Sequence, residues 1–395
     1  MGQIIFGYLG DKLGRKRIYG FELIVVIVAT TLSAFCFDLS SHINLFTMLI
    51  FFRFILGIGI GGDYPLSATV ASEFSNTKNR GAVIASVFAM QGVGIIFASC
   101  VSLIVLRIFK HFIENNIKTL DYAWRLMILI GVLPSLCMVY YRFKLEETPH
   151  YKHLKENEED ERNVLEDDQI TKQKNQSFFD YFSKWNNFKL LFATSFSWFC
   201  LDVAFYGVNL NTPLILNSIG FSSQTDVYKS LFNASLGNLI ICLMGGFPGY
   251  WATVFFIDSI GRRKIQILGF FVSAVLFFIL GLNFERLKNE YSPFFIMIFS
   301  LNNFFFNFGP NVTTFIIPAE VFPTEFRARC HGVSAAFGKL GAILAQFGFS
   351  ILKNNKIGMG GIMNIFGAFM LVGGGVSFAI KEMKGKELNE KKQFK

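Results

Sequence analysis

Gly10-Asp-Lys-Leu-Gly-Arg-Lys-Arg17 returns in the second half of the chain as Asp258-Ser-Ile-Gly-Arg-Arg-Lys264. Each copy is a short basic turn between two apolar runs, the pattern of a loop that joins two membrane helices at a water-facing boundary. Repetition of that turn at matching places implies two homologous helical bundles.

Working outward, the 395 residues are 52% hydrophobic and only 16% charged, too apolar for a string of water-soluble domains. Stretches long enough to span, or nearly so, fall at Ile18–Phe37, Leu45–Phe74, Gly81–Ile108, Trp124–Phe143, Phe188–Leu210, Leu231–Ile257, Ile265–Leu282, Pro293–Ile317, Val333–Leu352 and Gly360–Ile380. Ahead of them, Met1–Leu9 is apolar but reaches only about 14 Å as a helix, half the hydrocarbon thickness. The fold class is an all-α polytopic membrane protein.

The net charge of +9 is read by position. Basic clusters at Lys12/Arg15/Lys16/Arg17, Lys78/Arg80, Arg142/Lys144, Arg262/Arg263/Lys264, Arg327/Arg329 and the tail fall at every second connection, which the positive-inside rule assigns to the cytoplasm. Nucleic acid is not implied. Residues 146–187 form the one long polar segment, a cytoplasmic linker between an incomplete amino-terminal bundle (1–145) and a carboxy-terminal bundle (188–381); 382–395 is a cytoplasmic tail. Six scattered cysteines offer neither a disulfide framework nor a metal site, and no residue set calls for a cofactor.

Ionisable groups within spans cost about 2.5 kcal/mol or more at the bilayer centre, so they face the bundle interior and have partners. Asp63, Asp202 and Lys339 fit that description, either as a packing ion-pair network or as working groups. Trp198, Asp202 and Tyr206 recur at i, i+4 and i+8, which puts an indole N–H, a carboxyl and a phenol on one helical face. An aromatic packing stripe explains the rings but not Asp202. Pro310 and Pro318 each remove a helical hydrogen bond, releasing the carbonyls of Phe306 and Thr314, so this span is expected to break beside Asn307 and Asn311. Gly57 and Gly61 form a small-xxx-small pattern read as close helix packing. Gly332–Lys339 has a phosphate-loop look, but the spacing is one residue too long and Leu340 stands where Ser or Thr is required, so no ATPase or other enzyme is expected.

The repeated D-x-x-G-R-[KR]-[KR] turn, Arg53-Phe-Ile-Leu-Gly57 and the long central loop resemble the major facilitator superfamily of secondary transporters. Gly61-Gly-Asp-Tyr-Pro-Leu-Ser-Ala-Thr-Val-Ala-Ser-Glu73, Phe88-Ala-Met-Gln-Gly92, Pro248-Gly-Tyr-Trp-Ala-Thr-Val254 and Phe308-Gly-Pro-Asn-Val-Thr-Thr-Phe-Ile-Ile-Pro318 are similar to the eukaryotic inorganic phosphate:proton symporter family. The likeness runs from Gly2 to about Leu388. It implies two six-helix bundles in a multi-pass protein of the plasma membrane, with the first span, its acidic residues and the start of the second absent here.

The resemblance further implies a substrate site of Tyr64, Gln91, Trp198, Asp202, Tyr206 and Asn311, with Lys339 as counter-charge or ligand. Asp63 and Asp202 would serve proton coupling, because a carboxyl beside an anion in low dielectric favours its protonated form and then donates a hydrogen bond. The two turns that hold Asp11, Arg15, Asp258 and Arg262 are read as gating or packing elements at the cytoplasmic surface. The expected partners are inorganic phosphate, protons and the lipid bilayer. The alternatives are a sugar or other organic solute on the same scaffold, a non-transporting phosphate sensor, and an inactive fragment.

Overall fold

The computed structural model describes residues 1–38, 44–149, 151–153, 155–156, 178–221, 226–353 and 357–388. Most of the polar central segment lies outside the described residues, as do part of the connection after Asp38 and the Lys-rich end of the tail.

Every regular element among the described residues is helical. The chain runs α1 (Gly2–Leu13), α2 (Arg15–Ala34), α3 (Leu45–Phe74), α4 (Arg80–Asn115) and α5 (Leu120–Lys144). After the central segment follow α6 (Phe178–Ser183), α7 (Trp185–Asn209), α8 (Thr212–Ser218) and α9 (Val227–Ile260). The remainder is α10 (Arg262–Leu282), α11 (Phe284–Glu290), α12 (Ser292–Asn307), α13 (Pro310–Val321), α14 (Arg327–Lys353) and α15 (Gly358–Ser377).

Among the described residues, nine helices are long and apolar enough to cross a membrane. They carry large apolar side chains outward as well as inward, Phe46 and Phe255 both being about 70% exposed. A helix apolar all round belongs in lipid. The eighth of the ten expected spans, Pro293–Ile317, is divided: α12 ends at Asn307 and α13 begins at Pro310. Pro310 takes the first position of a new helix, where its missing N–H costs nothing. Pro318, expected to free Thr314 in the same way, sits within α13 without ending it. The loose carbonyl of Asn307 is taken by the Thr253 hydroxyl at 2.7 Å.

Short α1 wedges between α3 and α14. A Cβ on Gly61 would stand 2.9 Å from the Gln3 backbone nitrogen, and one on Gly7 would stand 2.7 Å from the Ala328 carbonyl oxygen. These small residues let backbones touch. Gly57, read with Gly61 as one packing pattern, meets nothing within 4 Å among the described residues, so only Gly61 fits that reading.

Candidate functional site

Two regions concentrate polar side chains. The central one starts on α7, where Trp198, Asp202 and Tyr206 lie on one buried face as their spacing predicts. Gly338 on α14 makes the approach possible, since a Cβ there would stand 2.6 Å from the Trp198 ring and 3.0 Å from Asp202 Oδ2. The next residue, Lys339, places its ammonium 3.0 Å from Asp202 Oδ2 and donates to the Tyr206 hydroxyl at 2.7 Å. An ion pair in low dielectric survives only when such extra bonds satisfy it.

Facing this pair, the Tyr250 hydroxyl donates to Gln91 Oε1 at 3.0 Å and accepts from Asn311 Nδ2 at 2.9 Å. Asn311 Nδ2 also donates to Asn307 Oδ1 at 2.7 Å. Gln91 on α4, Tyr250 on α9 and Asn311 on α13 thus form one polar chain across three helices. A π turn at Cys242–Gly246 precedes Tyr250, and such turns re-aim the residues after them.

Tyr64 on α3 closes the ring. Its aromatic centre lies 6.3 Å from those of Phe88 and Trp198 and 6.0 Å from that of Phe315, while Lys339 Nζ sits 5.1 Å away. Asp63, Tyr64, Ser67, Phe88, Gln91 and Phe315 line a cavity of about 290 Å³. All seven residues named from the resemblance therefore meet in one region. Tyr250 was missed: its only sequence signal was the Pro248–Val254 motif, and a tyrosine in an apolar run reads equally well as packing.

Asp63 has a partner that the sequence did not suggest. Arg142, counted among the cytoplasmic basic residues, donates from Nη2 to Asp63 Oδ1 at 2.7 Å and from Nη1 to Glu22 Oε1 at 2.8 Å. Its guanidinium stacks 4.1 Å from the centre of the Tyr19 ring.

The second region lies at the end that the basic clusters assign to the cytoplasm, and it comes in two matching copies. Asp11 accepts from the backbone N–H groups of Ala328 and Arg329, at the start of α14. Asp258 accepts from Gly81 and Ala82, at the start of α4. Each aspartate therefore caps a helix belonging to the other half of the chain, where a negative group offsets the unpaired N–H groups and the helix dipole.

Around each cap, two arginines share one glutamate. Arg15 and Arg327 reach Glu73 at 3.2 and 2.8 Å, while Arg262 and Arg80 reach Glu320 at 2.8 and 2.9 Å. The arginine beside each aspartate is 3.4 Å from Asp11 and 2.8 Å from Asp258. Asp11, Arg15 and Arg262 are buried within these clusters, whereas the sequence placed the turns at the surface. Glu73, Glu320, Arg80 and Arg327 completed the networks unannounced by any spacing.

The glycine of the repeated turn now has a physical reason. Gly14 and Gly261 adopt φ of +95° and +105°, a region that side chains with a Cβ avoid. A Cβ there would also stand 2.5 Å from Glu147 Oε2 and 2.7 Å from Glu382 Oε2. Those glutamates accept from the first N–H groups of the following helix, Glu147 from Arg15 and Lys16, Glu382 from Arg262 and Arg263.

A family model described as sugar (and other) transporter matches residues 1–394. The repressible high-affinity phosphate permease of Neurospora crassa is 40% identical over 437 residues, spanning 99% of this chain and 76% of that protein. Low affinity inorganic phosphate transporter 4 of Lotus japonicus is 42% identical over 421 residues, 98% of this chain and 79% of its own length. Inorganic phosphate transporter PHO84 of Saccharomyces cerevisiae is 38% identical over 440 residues, 99% and 74%. Among solved structures, the major facilitator superfamily proton:xylose symporter XylE bound to a bromodeoxyglucose superposes with a TM-score of 0.77 at 19% identity, covering 98% of this chain and 84% of that one. That likeness shows a shared fold.

Proposed function

The chain belongs to the sugar (and other) transporter family and has the major facilitator fold, and from that premise we propose that it is a multi-pass membrane carrier that moves inorganic phosphate together with protons by alternating access. The observation that carries the reading is the composition of the central cluster. Tyr64, Gln91, Trp198, Tyr206, Tyr250 and Asn311 offer neutral donors, and the ion pair beside them, Asp202–Lys339, is self-compensated. Dihydrogen phosphate brings a single negative charge, acceptor oxygens and two P–OH protons, so neutral donors with one adjustable carboxyl suit it. Its relatives' names point the same way.

In this reading Lys339 turns from Asp202 toward the anion, and a proton on Asp202 removes the repulsion that a second negative charge would bring. Asp63, on the wall of the same cavity, is a second group for proton coupling. The paired clusters of Asp11/Arg15/Glu73/Arg327 and Asp258/Arg262/Glu320/Arg80 act as the cytoplasmic gate, joined here in its closed arrangement. Opening requires both aspartate caps to leave their helices, so the closed state is held by discrete bonds, as a two-state carrier needs.

Uptake of radiolabelled phosphate into liposomes carrying the purified protein, under an imposed pH gradient, tests the proposal. Uptake that arsenate suppresses and hexoses or xylose do not is the expected result. Competition by a sugar in place of arsenate would move the substrate class to sugars.

A further inference from the structure

His331, in the second turn of α14, is a fully buried imidazole that the central cluster does not include. Its Nε2 lies 2.9 Å from the Phe315 carbonyl oxygen on α13. A carbonyl only accepts, so Nε2 carries the ring proton and donates. Nδ1 has no hydrogen-bond partner among the described residues, which leaves that one bond and the neighbouring rings to hold the imidazole. The neighbours are Trp198 and Phe315, with ring centres 5.5 and 5.2 Å away and planes nearly perpendicular at 87° and 89°. Both belong to the central site: Phe315 lines the cavity and stands 4.6 Å from Phe88, and Trp198 shares the buried face of α7 with Asp202.

The same stretch of α14 meets the cytoplasmic gate on its other side. Asp11 accepts from the N–H groups of Ala328 and Arg329, within one turn of His331. A Cβ on Gly332 would collide with the Gln3 carbonyl, and one on Gly7 with the Ala328 carbonyl, so α1 lies directly against residues 328–332. This stretch therefore touches α1 and its gate aspartate on one side and the aromatic wall of the substrate cavity on the other. Beyond it, α13 carries Asn311 one turn before Phe315, and Glu320 of the second gate cluster five residues after. A rigid helical turn with two discrete sets of bonds is the kind of element through which distant sites bias one another.

We propose that His331 is a positioning residue that transmits the state of the Asp11 cap to the substrate cavity through its bond to the Phe315 carbonyl. With the cap in place, the start of α14 holds the imidazole where it sets the Phe315 and Trp198 rings. When Asp11 leaves, this stretch moves against α13, the bond to the carbonyl breaks and the aromatic wall loosens. Linkage makes the effect reciprocal, so phosphate seated against the wall favours the capped, cytoplasm-closed arrangement. This inference rests on the phosphate reading above.

The experiment introduces Asp11→Ala into wild type, His331→Phe and His331→Gln. Phenylalanine keeps a ring without an N–H, and glutamine keeps an N–H donor without the ring. Each purified protein is titrated with inorganic phosphate, and the emission of Trp198 is isolated by subtracting the matched Trp198→Phe variant. Asp11→Ala is expected to weaken phosphate binding by about fivefold or more in wild type and in His331→Gln, but by less than about twofold in His331→Phe. The change that Asp11→Ala makes in Trp198 emission should likewise be present in wild type and absent from His331→Phe. If His331→Phe does not fold, His331→Leu, which also lacks the donor, makes the same comparison. An effect of equal size in wild type and His331→Phe overturns the proposal, even if His331→Phe melts at a lower temperature, because a purely structural role leaves the two changes additive. Absence of the effect from wild type overturns it too, and so does its loss in His331→Gln, which would remove the carbonyl bond as the link. If wild type binds no phosphate the phosphate reading fails, and Trp198 emission still decides whether the cap and the cavity are coupled through His331.

Discussion

Lys339 on α14 stands 3.0 Å from Asp202 on α7, and the same ammonium donates to Tyr206 one turn further along α7. Asp202 is buried while Lys339 keeps about a third of its side chain accessible, so the pair has one fixed partner and one that can move.

Breaking this pair from either side should therefore be unequal. Asp202→Asn leaves a partly accessible ammonium with Tyr206, whereas Lys339→Met leaves a buried carboxylate without its cation. The expected loss of stability is about 3 kcal/mol for Lys339→Met and about 1 kcal/mol for Asp202→Asn, the smaller value reflecting solvent screening at Lys339. The double variant should recover most of the loss in thermal unfolding yet bind no phosphate. Equal destabilisation by the two single changes would contradict this asymmetry.

Tyr250→Phe removes one hydroxyl that serves two neighbours, leaving Gln91 Oε1 without its donor and depriving Asn311 of an acceptor. An unmet buried polar group costs about 1–3 kcal/mol, which sets the expected weakening of phosphate affinity at about tenfold or more. Titration of the purified variant with phosphate checks it; wild-type affinity would remove Tyr250 from the site.

Glu73→Gln and Glu320→Gln each remove the negative charge shared by two arginines, in equivalent places of the two copies. Both should raise the population of the cytoplasm-open state. Cys330, buried on α14 beside the N–H groups that Asp11 caps, is a native reporter. Its modification by a thiol reagent should accelerate about tenfold in either variant. An effect confined to one variant would mean that the copies are not mechanically equivalent.

Gly14→Ala and Gly261→Ala force a Cβ into positive φ and against Glu147 or Glu382, and each is expected to cost about 1–2 kcal/mol or more in thermal stability. Gly57→Ala, with open space at its Cα, should change stability by about 0.5 kcal/mol or less. Comparable melting shifts for all three would refute this account of the repeated turn.

Most of the helical plan was readable before any coordinates. Span positions follow from runs of apolar residues and the pairing of the two halves from the repeated turn, because hydropathy and charge act locally and add along the chain. The break near Asn311 was legible for the same reason, since a proline's missing N–H is a property of one residue. The amino-acid order alone therefore determined the class of molecule, its internal repeat and the residue types of the central cluster.

What it left open depended on where side chains point after helices distant in sequence have packed. Arg142 could be counted as a cytoplasmic charge until α5 turned it onto Glu22 and Asp63, and Tyr250 could pass for packing until it joined Gln91 to Asn311. Asp11 and Asp258 looked like surface charges until each was found capping a helix from the opposite half. Only the tertiary structure decided these pairings, because electrostatic and hydrogen-bond energies depend on distance and direction between groups that the linear order keeps far apart.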